Sequence, residues 1–287
     1  MPDLSRWKTQ LLSIIVFITM FVARDKFLFA NVFEPDAPPT RDDLDEISDR
    51  GRTLADYDYA AARGSDAIEK IEVKPGTVER YIAREDDGRW VVAFGKLSPK
   101  KDAFLTAFEA FEEDDENADF TVKAYDPPRA DKDFLLASAL AIDLAFKNFV
   151  GPERPYNFAV VPADDDQLFI YVLPAQIKEG SWPLGGDTRF LVSADGKKIL
   201  EKRKLHDQIV DFPPDQSGAA GKIQESSHVH ELSDVPEDTD VFHVLVREPS
   251  IPEKITTKNY IYMIDAEGDV TFAPRGSKAS AAPPAPK

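Results

Sequence analysis

The chain has 287 residues, no cysteine, and 52 acidic against 35 basic side chains, which give a formal net charge of -17. The lack of cysteine excludes disulfides, thiolate nucleophiles, iron–sulfur clusters and cysteine-type zinc sites, so a metal would have to bind histidine, carboxylate or water. The acidic surplus would repel a phosphate backbone and argues against a nucleic-acid partner, although such a surplus also simply keeps a protein soluble.

The N-terminal segment carries an uncharged apolar run, LLSIIVFITMFVA at 11–23, which lies between basic residues. This pattern is typical of an export signal, and the run is shorter than the about 17–25 residues of a spanning helix. We therefore expect residues 1–30 to be a signal peptide or a membrane anchor, and the protein to be exported, whether periplasmic, secreted or anchored. A buried core helix is the alternative. Residues 31–43, rich in Pro and Asp, predict a linker.

The first elements after the linker are a helix and a hairpin. Apolar residues spaced among charges predict a helix over 44–70. VERYIAR at 78–84 and RWVVAFG at 89–95 predict two strands, and the Asp87-Gly88 dipeptide between them supplies the positive φ angles of a tight hairpin turn.

The next elements are predicted from aromatic spacing and apolar runs. Phe104, Phe108 and Phe111 follow an i, i+4, i+7 pattern, which predicts a helix from about residue 102. The alternating segment 120–125 predicts a strand, and 131–150, apolar on most sides, predicts a buried helix. Residues 44–150 would thus form an α/β N-terminal part.

The second half of the chain is richer in strands, and two Gly-containing turns at 194–196 and 266–269 predict further hairpins. The predicted strands lie at 157–161, 167–173, 188–194, 199–206, 222–230, 240–246, 259–265 and 269–273. We therefore predict an α+β fold with a mostly antiparallel sheet and flanking helices, preceded by the N-terminal signal or anchor helix. Residues 151–274 form its strand-rich C-terminal part, and 275–287 a disordered tail.

All four histidines of the chain lie in this C-terminal part, within one short window. They are His206, His228, His230 and His243. In a strand, His228 and His230 share one face with Ser226 and Gln224, so the two imidazoles can bind one Zn²⁺. Asp240, beyond the turn-forming segment 235–238, is the best third ligand, and His206 is the fourth predicted metal-binding residue.

Alternatives stay open for two histidines and for a general base. His206 follows a basic strand, where it is either a surface residue or a ligand oriented by Asp207. His243 alternates with Val241 and Leu245, which indicates a core histidine. The nearest carboxylates that could activate a metal-bound water are Glu201, Glu225 and Glu231, and the sequence favours a solvated surface position for each of them.

Another candidate feature is the segment GSWPLGGDTRF, which predicts a tight loop around Trp182, Gly185, Gly186 and Asp187 in the same part of the chain. The loop lacks the lysine and the following helix of a phosphate-binding P-loop. Nucleophile-elbow, H-E-x-x-H and Rossmann motifs are also missing from the sequence.

The segment HVHELSDVPEDTD resembles the JAMM (JAB/MPN) metalloprotease motif, in which a His-x-His strand is followed by Ser-x-x-Asp. The resemblance implies that His228, His230 and Asp240 are zinc ligands. It departs from the motif in a loop one residue shorter, in Glu237 at the position of the family's serine, and in the lack of a preceding glutamate in the expected context. These departures argue against hydrolysis more than against metal binding.

The sequence thus predicts a metal-binding protein of the cell envelope, with zinc as cofactor and zinc-dependent hydrolysis as the activity that such a site would support. The alternative, from another class, is a non-catalytic binding or scaffold protein of the envelope. The expected partners are an envelope protein or a small substrate, with membrane contact through the N-terminal segment and no nucleic acid.

Overall fold

The computed structural model describes residues 38–114, 118–178, 180–212 and 225–276. The predicted signal or anchor segment, most of the predicted linker and nearly all of the predicted tail lie outside these ranges. In the described ranges, none of the helices is long and apolar enough to span a membrane.

The described residues form three α-helices, α1 (Arg41–Glu69), α2 (Phe134–Asn148) and α3 (Asp238–Val246). The helix predicted over 44–70 is confirmed as α1. It starts three residues earlier, inside the predicted linker, because the Thr40 side chain and Asp43 form a capping box at its N-terminus. The helix predicted over 131–150 is confirmed as α2.

Fourteen strands occupy the described residues and form three four-stranded sheets and one two-stranded ribbon. The first sheet has the order β1 (Arg80–Asp86), β2 (Arg89–Leu97), β3 (Phe104–Phe111), β4 (Thr121–Asp131). The second has the order β5 (Tyr156–Pro162), β6 (Leu168–Pro174), β8 (Thr188–Val192), β9 (Ile199–Lys204). The third has the order β11 (Ser226–Val229), β12 (Glu253–Thr256), β13 (Tyr260–Ile264), β14 (Val270–Pro274), and the ribbon joins β7 (Trp182–Leu184) to β10 (Val210–Phe212).

Neighbouring strands pair antiparallel throughout, except for the parallel pair β11–β12. The predicted α+β class with mostly antiparallel sheets is therefore confirmed. The three predicted hairpins are present as β1–β2, β8–β9 and β13–β14. At the first of them, Asp87 and Gly88 have φ angles of 50° and 74°, as a tight two-residue turn requires.

The helix predicted around Phe104, Phe108 and Phe111 is wrong, because these residues form strand β3. A spacing of four residues is compatible with one face of a helix and also with one face of a strand. In addition, a β-bulge between Thr106 and Phe108 interrupts the simple alternation by which a strand is recognised.

The strand predicted over 240–246 is also wrong, because this segment forms helix α3. Its β-branched residues favour a strand, but a capping box formed by Glu237 and Asp240 starts a helix, and Val241 and Val244 then face the core together. The predicted strand 222–230 is described only from residue 225 onward, where β11 covers Ser226–Val229.

Two apolar cores support the fold. The larger one lies between the first two sheets and helices α1 and α2, and it draws buried residues from both sides of residue 150. The smaller one joins Leu44 and Ile47 of α1 to Val241 and Val244 of α3 and to Ile255 and its neighbours on the third sheet. Helix α1 therefore packs against both, and α3 lies where the third sheet meets the second.

Candidate metal centre

Four side chains with metal-binding atoms converge between the second and third sheets. They are His206, His228, His230 and Asp240, named here the histidine–aspartate cluster, and one ligand atom from each lies within 4.8 Å of the others. The structure therefore brings together all four residues that the sequence predicts as metal-binding.

The closest contacts within the cluster all involve the Nε2 atoms of the imidazoles. Nε2 of His206 and Nε2 of His228 each lie 3.1 Å from Oδ1 of Asp240, and Nε2 of His230 lies 3.1 Å from Oδ2. Nε2 of His206 is also 2.9 Å from Nε2 of His230. A buried carboxylate thus faces three imidazole nitrogens.

The opposite nitrogen of each imidazole, Nδ1, has its own partner outside the cluster. Nδ1 of His206 lies 2.8 Å from Oδ1 of Asp187, and Nδ1 of His228 lies 2.9 Å from Oε1 of Glu253. Nδ1 of His230 lies 3.1 Å from the carbonyl oxygen of Val235. A carbonyl oxygen and an ionised carboxylate only accept hydrogen bonds, so Nδ1 carries the proton in all three rings.

Whenever the rings are neutral, this choice of tautomer turns their lone pairs toward Asp240. Three lone pairs and a carboxylate that face one point repel one another unless a cation or a proton lies among them. Consistent with this, Nε2 of His228 and Oδ1 of Asp240 are buried and make no hydrogen bond to any described group, although they lie 3.1 Å apart. The donor set therefore fits a cation.

The separations between the donors are near those of a zinc site for the closest pairs only. Tetrahedral Zn²⁺ with bonds of about 2.0–2.1 Å to nitrogen and oxygen places its ligand atoms about 3.3–3.4 Å apart. The shortest separations in the cluster are 2.9 Å and 3.1 Å. The closest donors would need to move apart by a few tenths of an ångström to bind the ion, and donors separated by as much as 4.8 Å would need to approach each other by about 1.4 Å.

Electrostatic interactions inside the cluster shift the pKa values of its members. Burial opposes the charged form of His206, but the carboxylates of Asp187 and Asp240 raise its pKa well above the usual value. Burial likewise opposes charging of His228, but the nearby carboxylates of Asp240 and Glu253 raise its pKa to about 9. Although burial opposes ionisation of Asp240, His230 and His206 hold its pKa well below the usual range.

A glycine pair in the loop between β7 and β8 places Asp187 beside His206. Gly185 and Gly186 have φ angles of 82° and 68°, and a Cβ atom at Gly185 would lie 2.3 Å from the backbone oxygen of Gln208. Only glycine allows this approach, after which the backbone oxygen of Asp187 accepts from the backbone nitrogen of Leu205 at 3.1 Å. The loop predicted from the sequence thus contributes to the site.

The other three donors follow from local structure in the C-terminal part. Strand β11 presents His228 and, directly after the strand, His230 on one face, as the two-residue period predicts. Gln224, predicted on the same face, lies outside the described residues. Asp240 stands in the first turn of α3, where its Oδ2 accepts from the backbone nitrogen of Glu237 at 2.7 Å.

The partner predicted to orient His206 is wrong. His206 is oriented by Asp187 and not by Asp207, whose side chain pairs with Lys204. The three carboxylates considered as bases, Glu201, Glu225 and Glu231, are all exposed, which agrees with the expected surface positions. The carboxylates that contact the histidines are instead Asp187 and Glu253, which are 2% and 0% exposed.

His243 lies outside the cluster. It is buried as predicted, on helix α3 instead of a strand, and its ring packs 5.3 Å from that of Phe212. Burial and the nearby Arg247 lower its pKa to about 4, so its ring is neutral.

No protein-family model, characterised protein or solved structure matched this chain. The resemblance of residues 228–240 to the JAMM motif therefore stays a prediction, and function has to be argued from the site.

Proposed function

We propose that this chain is a metal-binding protein whose histidine–aspartate cluster holds one divalent cation of the zinc type. One observation carries the proposal: three imidazoles turn their Nε2 atoms to a buried carboxylate while Asp187, Glu253 and the Val235 carbonyl occupy their Nδ1 atoms. Outer partners of this kind fix the tautomer and orientation of metal-binding histidines.

A catalytic role for the metal is the more specific candidate, and the accessibility of the cluster favours it. The side chains of Asp240 and His230 are 0% and 2% exposed, whereas those of His206 and His228 are 11% and 17% exposed. The His206 and His228 rings are also the most widely separated pair, at 5.9 Å. Solvent thus approaches the cluster from the side of these two residues, where a water would bind the metal as a fifth ligand, or in place of one of the two histidines, and attack a small substrate.

Metal content tests the proposal directly. The purified protein, loaded with zinc and dialysed against metal-free buffer, should retain about one zinc per chain by elemental analysis, because structural and catalytic sites with three or more protein ligands bind zinc tightly. Asp240→Asn should retain much less, since it loses the anionic donor that all three imidazoles face.

Replacement of Glu201 by Gln serves as the control, because this carboxylate is exposed and makes no contact with the cluster. Loss of zinc from the control as well as from Asp240→Asn would show non-specific binding. A wild-type protein that retains no zinc would contradict the proposal and leave the non-catalytic envelope scaffold as the function to test.

We also propose that the protein works outside the cytoplasm, on the strength of the apolar run at 11–23 between basic residues. A reporter that is active only after export should be active behind residues 1–45 and inactive when 11–23 is deleted. A reporter that tolerates the deletion would contradict the proposed location.

A further inference from the structure

The N-cap and first turn of α3 carry three acidic side chains, and each of them contacts the second sheet or His206, which lies two residues after the last strand of that sheet. Glu237 Oε1 accepts from Arg203 on β9 at 2.6 Å, and Asp238 forms an ion pair with Arg189 on β8. Asp240 Oδ1 lies 3.1 Å from Nε2 of His206. Ion pairs thus hold the turn that provides Asp240 against the second sheet.

The spacing of these contacts links the docking to the metal centre. Arg203 and His206 are three residues apart, and so are Glu237 and Asp240, which they contact. On β8, Arg189 follows two residues after Asp187, whose carboxylate orients His206. The segment 203–206 therefore contacts the segment 237–240 twice, once through the ion pair of Arg203 with Glu237 and once through His206 and Asp240 in the histidine–aspartate cluster.

The carboxylate of Asp240 cannot move independently of these contacts. Its Oδ2 accepts from the backbone nitrogen of Glu237, so a shift of Glu237 displaces Asp240 as well. Asp238, whose side chain is 1% exposed, is additionally bound by the Tyr171 hydroxyl at 2.6 Å and by Nε of Arg50 at 3.0 Å. These contacts tie Asp238 to strand β6, strand β8 and helix α1, and they thereby fix the rotation of the turn.

Stability alone does not account for these pairs, because a buried ion pair often contributes no more to folding than apolar residues of the same size. Directional hydrogen bonds to fixed charges do, however, set the position of a helix end. We propose that the ion pairs Arg189–Asp238 and Arg203–Glu237, the docking pairs, are positioning contacts that hold Asp240 at the coordination distance from the histidines. This inference rests on the proposed metal-binding function.

The test compares two variants, Arg203→Gln and Asp238→Asn, with wild type. Zinc affinity is measured by competition with a chelator, and the coordination geometry is read from the visible absorption of bound Co²⁺. Each variant should weaken zinc binding severalfold, with the about 10–100-fold that is typical for a group bonded directly to a ligand as the upper bound, and should alter the Co²⁺ spectrum. If the replaced residue had only a structural role, the folded fraction of the variant would show the same Co²⁺ absorption spectrum as wild type.

Arg129→Gln is the matched control. Arg129 pairs with the buried Glu109 at 2.8 Å on the first sheet, as Arg203 pairs with the buried Glu237 at 2.6 Å, and the two arginines are 36% and 26% exposed. The control should keep the wild-type zinc affinity within about twofold, together with the wild-type Co²⁺ spectrum.

The outcomes separate this inference from the proposed function. If wild type binds neither ion, the proposed function is wrong and the inference falls with it. If wild type binds both ions and the two variants match it, or if the control loses affinity equally, only the inference is overturned. Should circular dichroism show that Asp238→Asn is unfolded, the half-buried Arg203→Gln variant decides.

Discussion

The three histidines of the cluster differ in the group that holds Nδ1. His206 and His228 donate to the carboxylates of Asp187 and Glu253, whereas His230 donates to the carbonyl oxygen of Val235. Both kinds of partner fix the tautomer and raise the basicity of the opposite nitrogen, and a charged carboxylate does so more strongly than a neutral carbonyl. At the residue scale, the outer partners would therefore set the relative strength of the three imidazoles as metal ligands.

Removal of a ligand and removal of a buried neighbour should have different effects. His228→Ala or His230→Ala should lose most bound zinc, because each deletes one donor atom. His243→Ala should keep the zinc stoichiometry and lower the free energy of unfolding by about 1–3 kcal/mol, because a buried polar ring and its packing are lost. Elemental analysis and chemical denaturation measure the two effects, and loss of zinc from His243→Ala would contradict the assignment.

Removal of the charge from an outer partner should weaken metal binding without abolishing it. Glu253→Gln should lower zinc affinity by about 10–100-fold, because the bond to Nδ1 of His228 loses its ionised acceptor. Glu225→Gln is the control, since Glu225 is exposed and pairs only weakly with Lys254 at 3.4 Å. Equal affinities of the two variants would exclude a tuning role for Glu253.

At the scale of single elements, the loop between β7 and β8 shows how backbone conformation sets side-chain chemistry. Its glycine pair allows the chain to pass within van der Waals distance of residues 206–209 and so delivers Asp187 to His206. The loop is therefore part of the site although none of its side chains belongs to the histidine–aspartate cluster.

Two glycines with positive φ angles test this dependence. Gly76→Ala and Gly185→Ala both place a side chain at a left-handed conformation, at φ angles of 76° and 82°, which costs about 1–2 kcal/mol. Only the Cβ atom at Gly185 meets backbone, because nothing lies within 4 Å of the corresponding atom at Gly76.

Gly185→Ala should therefore be the less stable variant in denaturant titrations, and it should lose about tenfold in zinc affinity through displacement of Asp187. Gly76→Ala should retain the wild-type zinc affinity. A Gly185→Ala protein that binds zinc like wild type would show that the loop does not position Asp187.

The sequence predicts much of the site because local periodicity decides it. His228 and His230 share a face through the two-residue period of a strand, and Asp240 follows at a short spacing. The outer partners are not predictable in this way, because Asp187 and Glu253 are 19 and 25 residues from their histidines. Their contacts depend on strand pairing, such as the parallel register of β11 and β12, which no local pattern encodes.

In the whole molecule, the histidine–aspartate cluster joins regions that otherwise belong to different cores. His206 follows the second sheet, which packs in the larger core, while the remaining donors belong to β11 and α3 beside the smaller core. A metal bound to all four donors would cross-link these regions. Zinc should therefore stabilise the entire fold, by about 2.7 kcal/mol when its free concentration is 100 times the Kd.

The size of this stabilisation should depend on pH. In the metal-free folded protein, the pKa of His228 is raised to about 9 from the ordinary value of 6.5. Its charged form therefore contributes stability that is fully present below about pH 6.5 and is lost as the pH rises through about 9. The metal-free protein should become less stable across this window.

Zinc binding requires neutral imidazoles, so it releases these protons, and zinc affinity should increase across the same window. The gain in melting temperature at a constant, chelator-buffered free zinc concentration should consequently grow from pH 6.5 to 9, and protons should be released on binding at pH 7. With a histidine at its ordinary pKa, the gain would already level off near pH 7. Thermal melts of wild type at half-unit intervals between pH 6 and pH 9.5, with and without buffered zinc, distinguish the two profiles. An early plateau would show that the carboxylates around His228 do not hold it in the charged form, and no gain at any pH would contradict the metal centre itself.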